Sequence, residues 1–144
     1  MSELEYVTSF RDLQVYKKSR ALSKEIFVLT CSFPKEETYS LIDQVRRSSR
    51  SVGAQIAEAW AKRRYEKHFV SKLTDADGEQ METQHWLETA LDCGYLSREQ
   101  AAALLEKCAE IGRMLGGMMA KAEAFCNPMA LSVHEEQAAY LTEH

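Results

Sequence analysis

Hydrophobic residues recur along the chain at alternating steps of three and four, the spacing that places side chains on one face of a helix. The first such stretch follows Ser9 and Asp12, a pair with capping-box spacing at a helix start. Pro34 is expected to end it, because proline has no backbone N–H and clashes with the preceding turn. Its predicted inward face consists of Val15, Ser19, Leu22, Ile26 and Leu29.

The second stretch combines bulky inward residues with unusually small ones. Glu36 and Glu37 are expected in its first turn, where acidic side chains interact favourably with the helix dipole. Small side chains follow in "SSRSVGA", residues 48–54, so we expect another helix to approach closely. No glycine or proline separates this stretch from the next, and the boundary is predicted only to within residues 62–67. The inward stripe is Leu41, Val45, Ser48, Val52, Ile56 and Ala59.

The third stretch is hydrophobic at both ends and polar in its middle, "TDADGEQMETQ". Phe69 and Leu73 are predicted to face inward at its start, and Gly94 is expected to end it in a left-handed conformation. Its second half supplies the inward residues Trp86, Leu87, Ala90 and Leu91.

The fourth stretch shows the clearest helical periodicity. Ser97 and Gln100 form a second predicted capping box, and Asn127 with Pro128 is expected to end the helix. Glycines within it indicate either close helix contact or a tolerated loss of helix propensity. The inward positions are Leu104, Cys108, Ile111, Leu115, Met118, Ala122 and Phe125. The glycines are Gly112, Gly116 and Gly117.

Four amphipathic helices with short connections predict an all-α fold, an antiparallel up-down-up-down four-helix bundle. Residues 1–126 are assigned to the bundle domain and residues 127–144 to a C-terminal tail. A chain of 144 residues suits one hydrophobic core. No apolar run approaches the roughly 18 residues of a membrane span, and "MSELEYVTSF" does not resemble a secretion signal, so we expect a cytoplasmic protein without membrane contact.

Charge is distributed unevenly, because one basic segment lies in a chain of net charge -4. Such a segment is typical of a surface that contacts nucleic-acid phosphates, and Trp60 and Tyr65 are candidates for stacking on an unpaired base. Alternatively, the bases balance acidic residues of neighbouring helices or subunits. The candidate nucleic-acid-binding residues are Arg46, Arg47, Arg50, Lys62, Arg63, Arg64 and Lys67.

Part of this segment is also a candidate for holding the bundle together. The side chains concerned are Arg46, Arg47, Ser51 and Glu58. At one-turn spacing they are expected to form at least one pair with Glu79 or Glu82 of the polar third helix, because buried charges need partners.

No reaction chemistry is indicated. Glu82 and His85 have the spacing used in di-iron bundles, but such a site needs a second copy of the motif, which the chain lacks. No nucleophile, phosphate loop or acid–base pair has a recognisable context. We therefore expect no catalytic residue, no metal and no cofactor. The cysteines contain no CxxC pair and are interpreted as ordinary thiols: Cys31, Cys93, Cys108 and Cys126.

Three segments carry a family resemblance: "FRDLQVYKKSRAL", "FPKEETYSLIDQVRRSSRSVGAQIAEAW" and "GEQMETQHWLETALDCGYL". In order and spacing, from Phe10 to Phe125, the chain resembles the four-helix-bundle family encoded in intervening sequences of 23S rRNA genes, also called S23 ribosomal proteins. Arg46 and Arg47 in "QVRRS" match the family's basic motif. The common "NIAEG" appears here as "QIAEA", without its glycine, at residues 55–59.

The resemblance extends to the accessory variability protein of diversity-generating retroelements. It implies a homopentameric barrel of bundles that binds nucleic acid through a basic surface and associates with a reverse transcriptase or another protein.

Two functional hypotheses follow. The first is a non-enzymatic, oligomeric accessory protein that binds RNA or DNA through the basic segment. The alternative is a structural or adaptor module that mediates protein–protein assembly without nucleic acid.

Overall fold

The structure is a computed structural model that describes residues 7–126. Two short 3-10 turns, Phe10–Asp12 and Lys35–Glu37, precede the first and second long helices. The α-helices are α1 (Gln14–Thr30), α2 (Leu41–Ala61), α3 (Glu66–Asp92), α4 (Arg98–Ala120) and α5 (Ala122–Cys126). The predicted tail, residues 127–144, lies outside the described residues.

The four long helices form one bundle, in which α1 and α3 each pack against both α2 and α4. Ile26, Ile56, Leu73 and Leu104, one from each long helix, are at most 1% exposed. Burial of such a side chain stabilises the fold by about 1.5–3 kcal/mol. The predicted all-α four-helix bundle is confirmed. Three residues predicted to face inward are half-buried at the edge of the core: Leu29, Trp86 and Leu91.

The predicted capping box at the N-terminus is present, but it caps a 3-10 turn rather than α1. The Ser9 hydroxyl accepts a hydrogen bond from the Arg11 backbone N–H, and Asp12 accepts one from the Ser9 backbone. Leu13 then adopts an extended conformation, so α1 begins only at Gln14. The predicted position of the cap is confirmed, but the element that it begins is the 3-10 turn and not the first long helix.

Glu36 and Glu37 do not occupy the first turn of α2, as predicted, but form the separate 3-10 turn. Glu37 accepts hydrogen bonds from the Ser40 hydroxyl at 2.7 Å and the Tyr95 hydroxyl at 2.9 Å. These hydrogen bonds, the Ser40 bond first, lower the pKa of Glu37. The carboxylate therefore ties the turn before α2 to the connection between α3 and α4.

Close packing along α2 confirms the prediction from its small residues. A Cβ on Gly53 would lie 3.2 Å from the Ser19 Oγ and 3.5 Å from the Tyr16 ring, so α1 approaches closely at this point. On the side facing α3, the buried hydroxyls of Ser48 and Thr83 are 2.8 Å apart. The small side chains of α2 thus allow close packing of α1 on one side and of α3 on the other.

The polar middle of α3 is partly buried, which the sequence pattern did not reveal. Gln80 is only 3% exposed; its amide donates to Asp77 at 2.9 Å and accepts from Gln84 at 2.7 Å. A Cβ on Gly112 of α4 would lie 2.8 Å from the Gln80 amide nitrogen. The polar residues therefore satisfy one another, and the glycine provides the space that they need.

The fourth predicted helix is interrupted, contrary to the expectation of one helix through Phe125. The chain leaves helical geometry at Lys121, whose φ is -109° and ψ is 26°, and α5 begins at Ala122. The break turns Phe125 onto Phe69, with ring centroids 5.9 Å apart. Core packing of this ring outweighs continuation of a straight helix. Gly94, with φ 79°, ends α3 as predicted.

Candidate nucleic-acid interface

The basic residues predicted from the sequence fall into two groups on the structure. The first group lies on the first half of α2 and comprises Arg46, Arg47 and Arg50. The second lies around the connection between α2 and α3 and comprises Lys62, Arg63, Arg64 and Lys67. The 12 residues from Arg50 to Lys62 correspond to about 18 Å along a helix axis, so the two groups form separate surfaces.

Arg47 is paired within the bundle, as one of the two sequence interpretations predicted. Its guanidinium forms an ion pair with Glu82 and lies 3.6 Å from Glu79, both on α3. Glu82 also accepts a hydrogen bond from the Trp86 indole at 3.1 Å. The Trp86 bond and then Arg47 lower the pKa of Glu82. The buried Glu79 Oε1 has no hydrogen-bond partner among the described residues, so Arg47 compensates its charge through space.

Arg46 has a different partner, which the sequence did not indicate. Its Nε donates to the buried Thr30 hydroxyl at 2.8 Å, and its Nη2 donates to the Phe27 carbonyl at 3.2 Å. The guanidinium lies 4.4 Å from the centroid of the Phe27 ring, and that of Arg50 lies 5.6 Å from the same ring. These partners are neutral, so the positive charge of both arginines remains uncompensated.

Arg63 is folded back onto the end of α2. Its guanidinium lies 3.5 Å from the centroid of the Trp60 ring, and its Nε donates to the Trp60 carbonyl at 2.9 Å. Partial burial lowers the pKa of Arg63, although arginine remains charged at neutral pH. Trp60 packs against the core and is covered by this contact, so it is not open for stacking on a base.

Four exposed residues at the connection between α2 and α3 constitute what we call the turn cluster: Lys62, Arg64, Tyr65 and Lys67. Across residues 7–126, no carboxylate lies within 4 Å of its three cationic groups. Tyr65 is 57% exposed, and its ring lies 5.4 Å from the His68 ring. The turn cluster thus combines an open aromatic ring with positive charge on both sides of it in the sequence.

The helix that begins at this cluster lacks a side-chain cap. Tyr65 occupies the N-cap position of α3 without a capping hydrogen bond, whereas Ser97 caps α4 through the Gln100 backbone. Glu66 in the first turn interacts favourably with the positive end of the helix dipole and offsets part of the local charge. The uncapped N-terminus of α3 and the cations of the cluster therefore both contribute positive potential at this connection.

Comparison with known proteins places this arrangement in a family. Residues 11–117, which include every candidate basic residue, match the family of the 23S rRNA-intervening sequence proteins. The chain belongs to this family. It is also similar to a solved structure from Bacteroides thetaiotaomicron, a protein with unknown function from the S23 ribosomal protein family. The TM-score is 0.65 at 28% identity, and the match covers 73% of this chain and 97% of that one. Comparison with curated protein sequences gives no match.

This member of the 23S rRNA-intervening sequence family has a second exposed surface, which sequence reasoning missed. Tyr39 is 93% exposed, Val28 60% and Phe27 42%. Together with Arg46 and Arg50 these residues constitute what we call the α1–α2 face. Phe27 and Val28 are hydrophobic but do not belong to the predicted inward face of the first helix. This position could have predicted an exposed hydrophobic surface from the sequence.

Within the described part of this family member, no group of three or more histidine, cysteine or acidic side chains is arranged to hold a metal ion. Glu82 is engaged by Arg47 and Trp86. Burial raises the pKa of Cys108 to about 12, so this thiol stays protonated at neutral pH. No helix among residues 7–126 has the length and apolar character required to cross a bilayer.

Proposed function

We propose that this family member is a non-enzymatic, homo-oligomeric accessory protein of the cytoplasm that binds RNA or DNA through phosphate groups. Its principal contacts are Lys62, Arg64 and Lys67 of the turn cluster. One observation carries the proposal: three exposed cations lie at a single connection, and none has an acidic partner within 4 Å among residues 7–126. Cations in that state can exchange their counterions for phosphates.

The other candidate residues are ranked as phosphate contacts by how far their charged groups are already engaged by other side chains. Arg46 and Arg63 have no acidic partner among the described residues, but each is held by hydrogen bonds and lies within 4.4 Å of an aromatic centroid, so they are secondary contacts. Arg50 and Arg64 lie 5.6 and 6.0 Å from the Phe27 and Tyr65 centroids; Arg50 is also secondary because it lies outside the turn cluster. Arg47 is paired with Glu79 and Glu82 and serves the bundle instead. The net charge of -4 confines phosphate binding to local surfaces and makes it dependent on salt.

Charge reversal tests this proposal. Labelled single-stranded RNA and DNA oligonucleotides are titrated at about 50 and about 200 mM salt, and binding is followed by fluorescence anisotropy. With three phosphate contacts the logarithm of the affinity should fall against the logarithm of salt with a slope of about -2. The triple variant Lys62→Glu, Arg64→Glu, Lys67→Glu should lose at least about tenfold in affinity at low salt.

The matched control reverses three exposed cations elsewhere, which have no ion pair among the described residues: Lys24→Glu, Lys35→Glu and Arg98→Glu. The control changes the net charge by the same amount but should retain most of the affinity. An equal loss in both triple variants, or no binding by the unaltered protein at low salt, would contradict the proposal.

We infer further that the protomers assemble as a homopentamer, which is the assembly that the family resemblance implies. The exposed hydrophobic residues of the α1–α2 face support self-association, because a soluble protein gains by burying such side chains. Light scattering should then give a mass five times the 16.4 kDa of the chain. A reverse transcriptase or another protein is the partner class that the same resemblance implies, and co-purification is the test.

A structural or adaptor module is the second candidate function. The α1–α2 face favours it, because Tyr39 lines one open groove together with Arg46 and Arg50, and Val28 of α1 is also exposed. Tyrosine and arginine are enriched at protein interfaces. Under this alternative, replacing Tyr39 and Val28 by serine should abolish protein association, and nucleic acid should bind to neither form.

A further inference from the structure

We propose that the turn cluster selects unpaired nucleotides over duplex, with the Tyr65 ring stacking on one base while the neighbouring cations contact the flanking phosphates. This inference rests on the proposed function and adds the class of nucleic acid to it.

Tyr65 is the ring at this surface that is open to a ligand. Its exposure of 57% contrasts with the half-buried Trp60, whose ring is covered by Arg63 at 3.5 Å. The Arg64 guanidinium lies further from the Tyr65 centroid, at 6.0 Å, and the His68 ring lies 5.4 Å away. No hydrogen bond involves the Tyr65 hydroxyl among the described residues, so a base that stacks on the ring breaks none and shares the ring with Arg64 and His68.

The position of Tyr65 in the chain places cations on both sides of it. Lys62 and Arg64 precede it and Lys67 follows, while its own backbone is extended, with φ -124° and ψ 115°. A base stacked on the ring would bring the phosphates on its two sides towards these cations. Neither the aromatic ring nor the cations alone would indicate a class of nucleic acid. Together they form the combination by which proteins bind single strands.

Selectivity arises because the two components respond differently to base pairing. Lysine and arginine attract phosphates of single strands and duplexes alike. A tyrosine ring stacks on an exposed base face, and in a duplex those faces are already stacked on neighbouring pairs. The short connection Lys62–Tyr65 presents neither a helix nor a two-stranded ribbon to a major groove, so a duplex gains only phosphate contacts.

The surface beside the ring limits how much of the strand is held. An open groove runs from Lys67 along α3 and is lined by Glu66, Val70 and Ser71. The Glu66 carboxylate repels phosphates in this direction, whereas Val70 offers apolar surface. One protomer therefore engages one or two nucleotides, and affinity for longer strands comes from several protomers acting together.

The test compares Tyr65→Ala with Tyr65→Phe and with Met81→Ala as a matched control. Met81 is 57% exposed, as is Tyr65, and lies 16 residues further along the chain, about 24 Å along the axis of α3. The probes are a labelled deoxythymidine oligonucleotide of about 20 nucleotides and a labelled duplex of about 20 base pairs, both at low salt. Tyr65→Ala should weaken binding of the single strand by about 5- to 150-fold and leave duplex binding unchanged. Tyr65→Phe and Met81→Ala should bind both probes like the unaltered protein.

Each other outcome is decisive. Equal loss for both probes in Tyr65→Ala, no loss for the single strand, or an equal loss in Met81→Ala overturns the inference while phosphate binding stands. Unchanged binding in the triple charge-reversal variant overturns the proposed function itself. Absence of low-salt binding by the unaltered protein overturns both. Thermal unfolding of each variant, followed by circular dichroism, verifies that the bundle is intact.

Discussion

Arg46 and Arg47 are neighbours in the chain, yet their guanidinium groups contact different helices. Arg46 meets the hydroxyl of Thr30 and the ring of Phe27 on α1, whereas Arg47 meets the carboxylates of α3. The sequence predicted that a pair would form with Glu79 or Glu82, because charges on facing helices need partners. The sequence did not indicate the contacts of Arg46, because Thr30 and Phe27 are uncharged and belong to no motif that predicts a contact with arginine. Residue type alone therefore does not separate a structural arginine from one available to a ligand.

Removing Arg47 should destabilise the bundle. Arg47→Ala leaves Glu79 and Glu82 uncompensated, and we expect the free energy of unfolding to fall by about 1 kcal/mol at neutral pH. The pKa of Glu82 is lowered in the folded protein, so its stabilising contribution is present above its unfolded pKa and is lost as pH falls through the folded value. The difference between Arg47→Ala and the unaltered protein should thus shrink in acid, below about pH 4.

Urea denaturation at several pH values, at equal protein concentration, measures this difference. Arg50→Ala is the control, because Arg50 lies on the same helix, has no ion pair among residues 7–126, and its guanidinium lies 5.6 Å from the Phe27 centroid. An equal loss in both variants, or a loss that does not change with pH, would contradict the role assigned to the Arg47 pair.

Glu37 provides a second test of a single contact. Hydrogen bonds from Ser40 and from Tyr95 lower its pKa, and Tyr95→Phe removes one of them. We expect an NMR titration of the Glu37 side chain to show a pKa below the ordinary value in the unaltered protein and a higher one in Tyr95→Phe. The value should stay below the ordinary one because the Ser40 bond remains. Tyr39→Phe should leave the titration unchanged, and an equal shift there would refute the assignment.

At the scale of helices, periodicity predicted the faces well and the ends less well. The capping boxes at Ser9 and Ser97 and the left-handed Gly94 are local signals that act within one turn, so the sequence was sufficient to find them. The break at Lys121 was missed because no glycine or proline stands at Lys121 or Ala122 to mark it; beyond it, Phe125 packs on Phe69, which is far away in the sequence. Interactions between distant elements override local propensity in such places.

Two glycines of α4 should respond oppositely to the same substitution. A Cβ on Gly116 would meet no neighbouring group within 4 Å, so Gly116→Ala should raise the free energy of unfolding by about 0.5–1 kcal/mol through helix propensity. A Cβ on Gly112 would lie 2.8 Å from the buried Gln80 amide. Gly112→Ala must displace that amide and should lower stability by about 1 kcal/mol in spite of the better propensity.

Thermal or urea unfolding of the two variants provides the comparison. The structure predicts a difference in sign between them, which a general effect of alanine on α4 would not produce. Stabilisation by both substitutions would show that Gln80 can move without cost.

At the scale of the whole molecule, the sequence was sufficient to predict the fold, whereas the site remains a prediction and only the positions of its candidate residues can be compared. Helical periodicity repeats over the chain, so errors at single ends did not alter the architecture. The site was harder because seven basic residues lie close together in sequence while the helix separates them in space. Which of them remain available depends on the register of α3 against α2, and that register is set by buried pairs such as Ser48 with Thr83.

The proposed assembly should increase affinity for long strands. If several protomers each hold one or two nucleotides, disrupting the α1–α2 face should dissociate the oligomer and weaken binding of a long oligonucleotide far more than that of a short one. Val28→Asp with Tyr39→Asp is the disrupting variant, and Met81→Asp is its control, since Met81 is a 57% exposed side chain on α3. Light scattering and anisotropy on the same samples test the link. Dissociation without any change in long-strand affinity would refute it.

The connection between α2 and α3 is held from both sides. Lys72 with Glu58 joins the two helices close to it, and Arg47 with Glu82 and Ser48 with Thr83 join them at one common level further away. The tip of this hairpin is therefore preorganised, and a ligand that meets it loses little free energy to ordering the chain. The tip is exposed, and the pairs that join α2 and α3 do not include its side chains. Substitutions at the tip should therefore leave the packing of the bundle unchanged. Grafting other side chains onto this tip is accordingly a practical route to bundles with new ligand preferences.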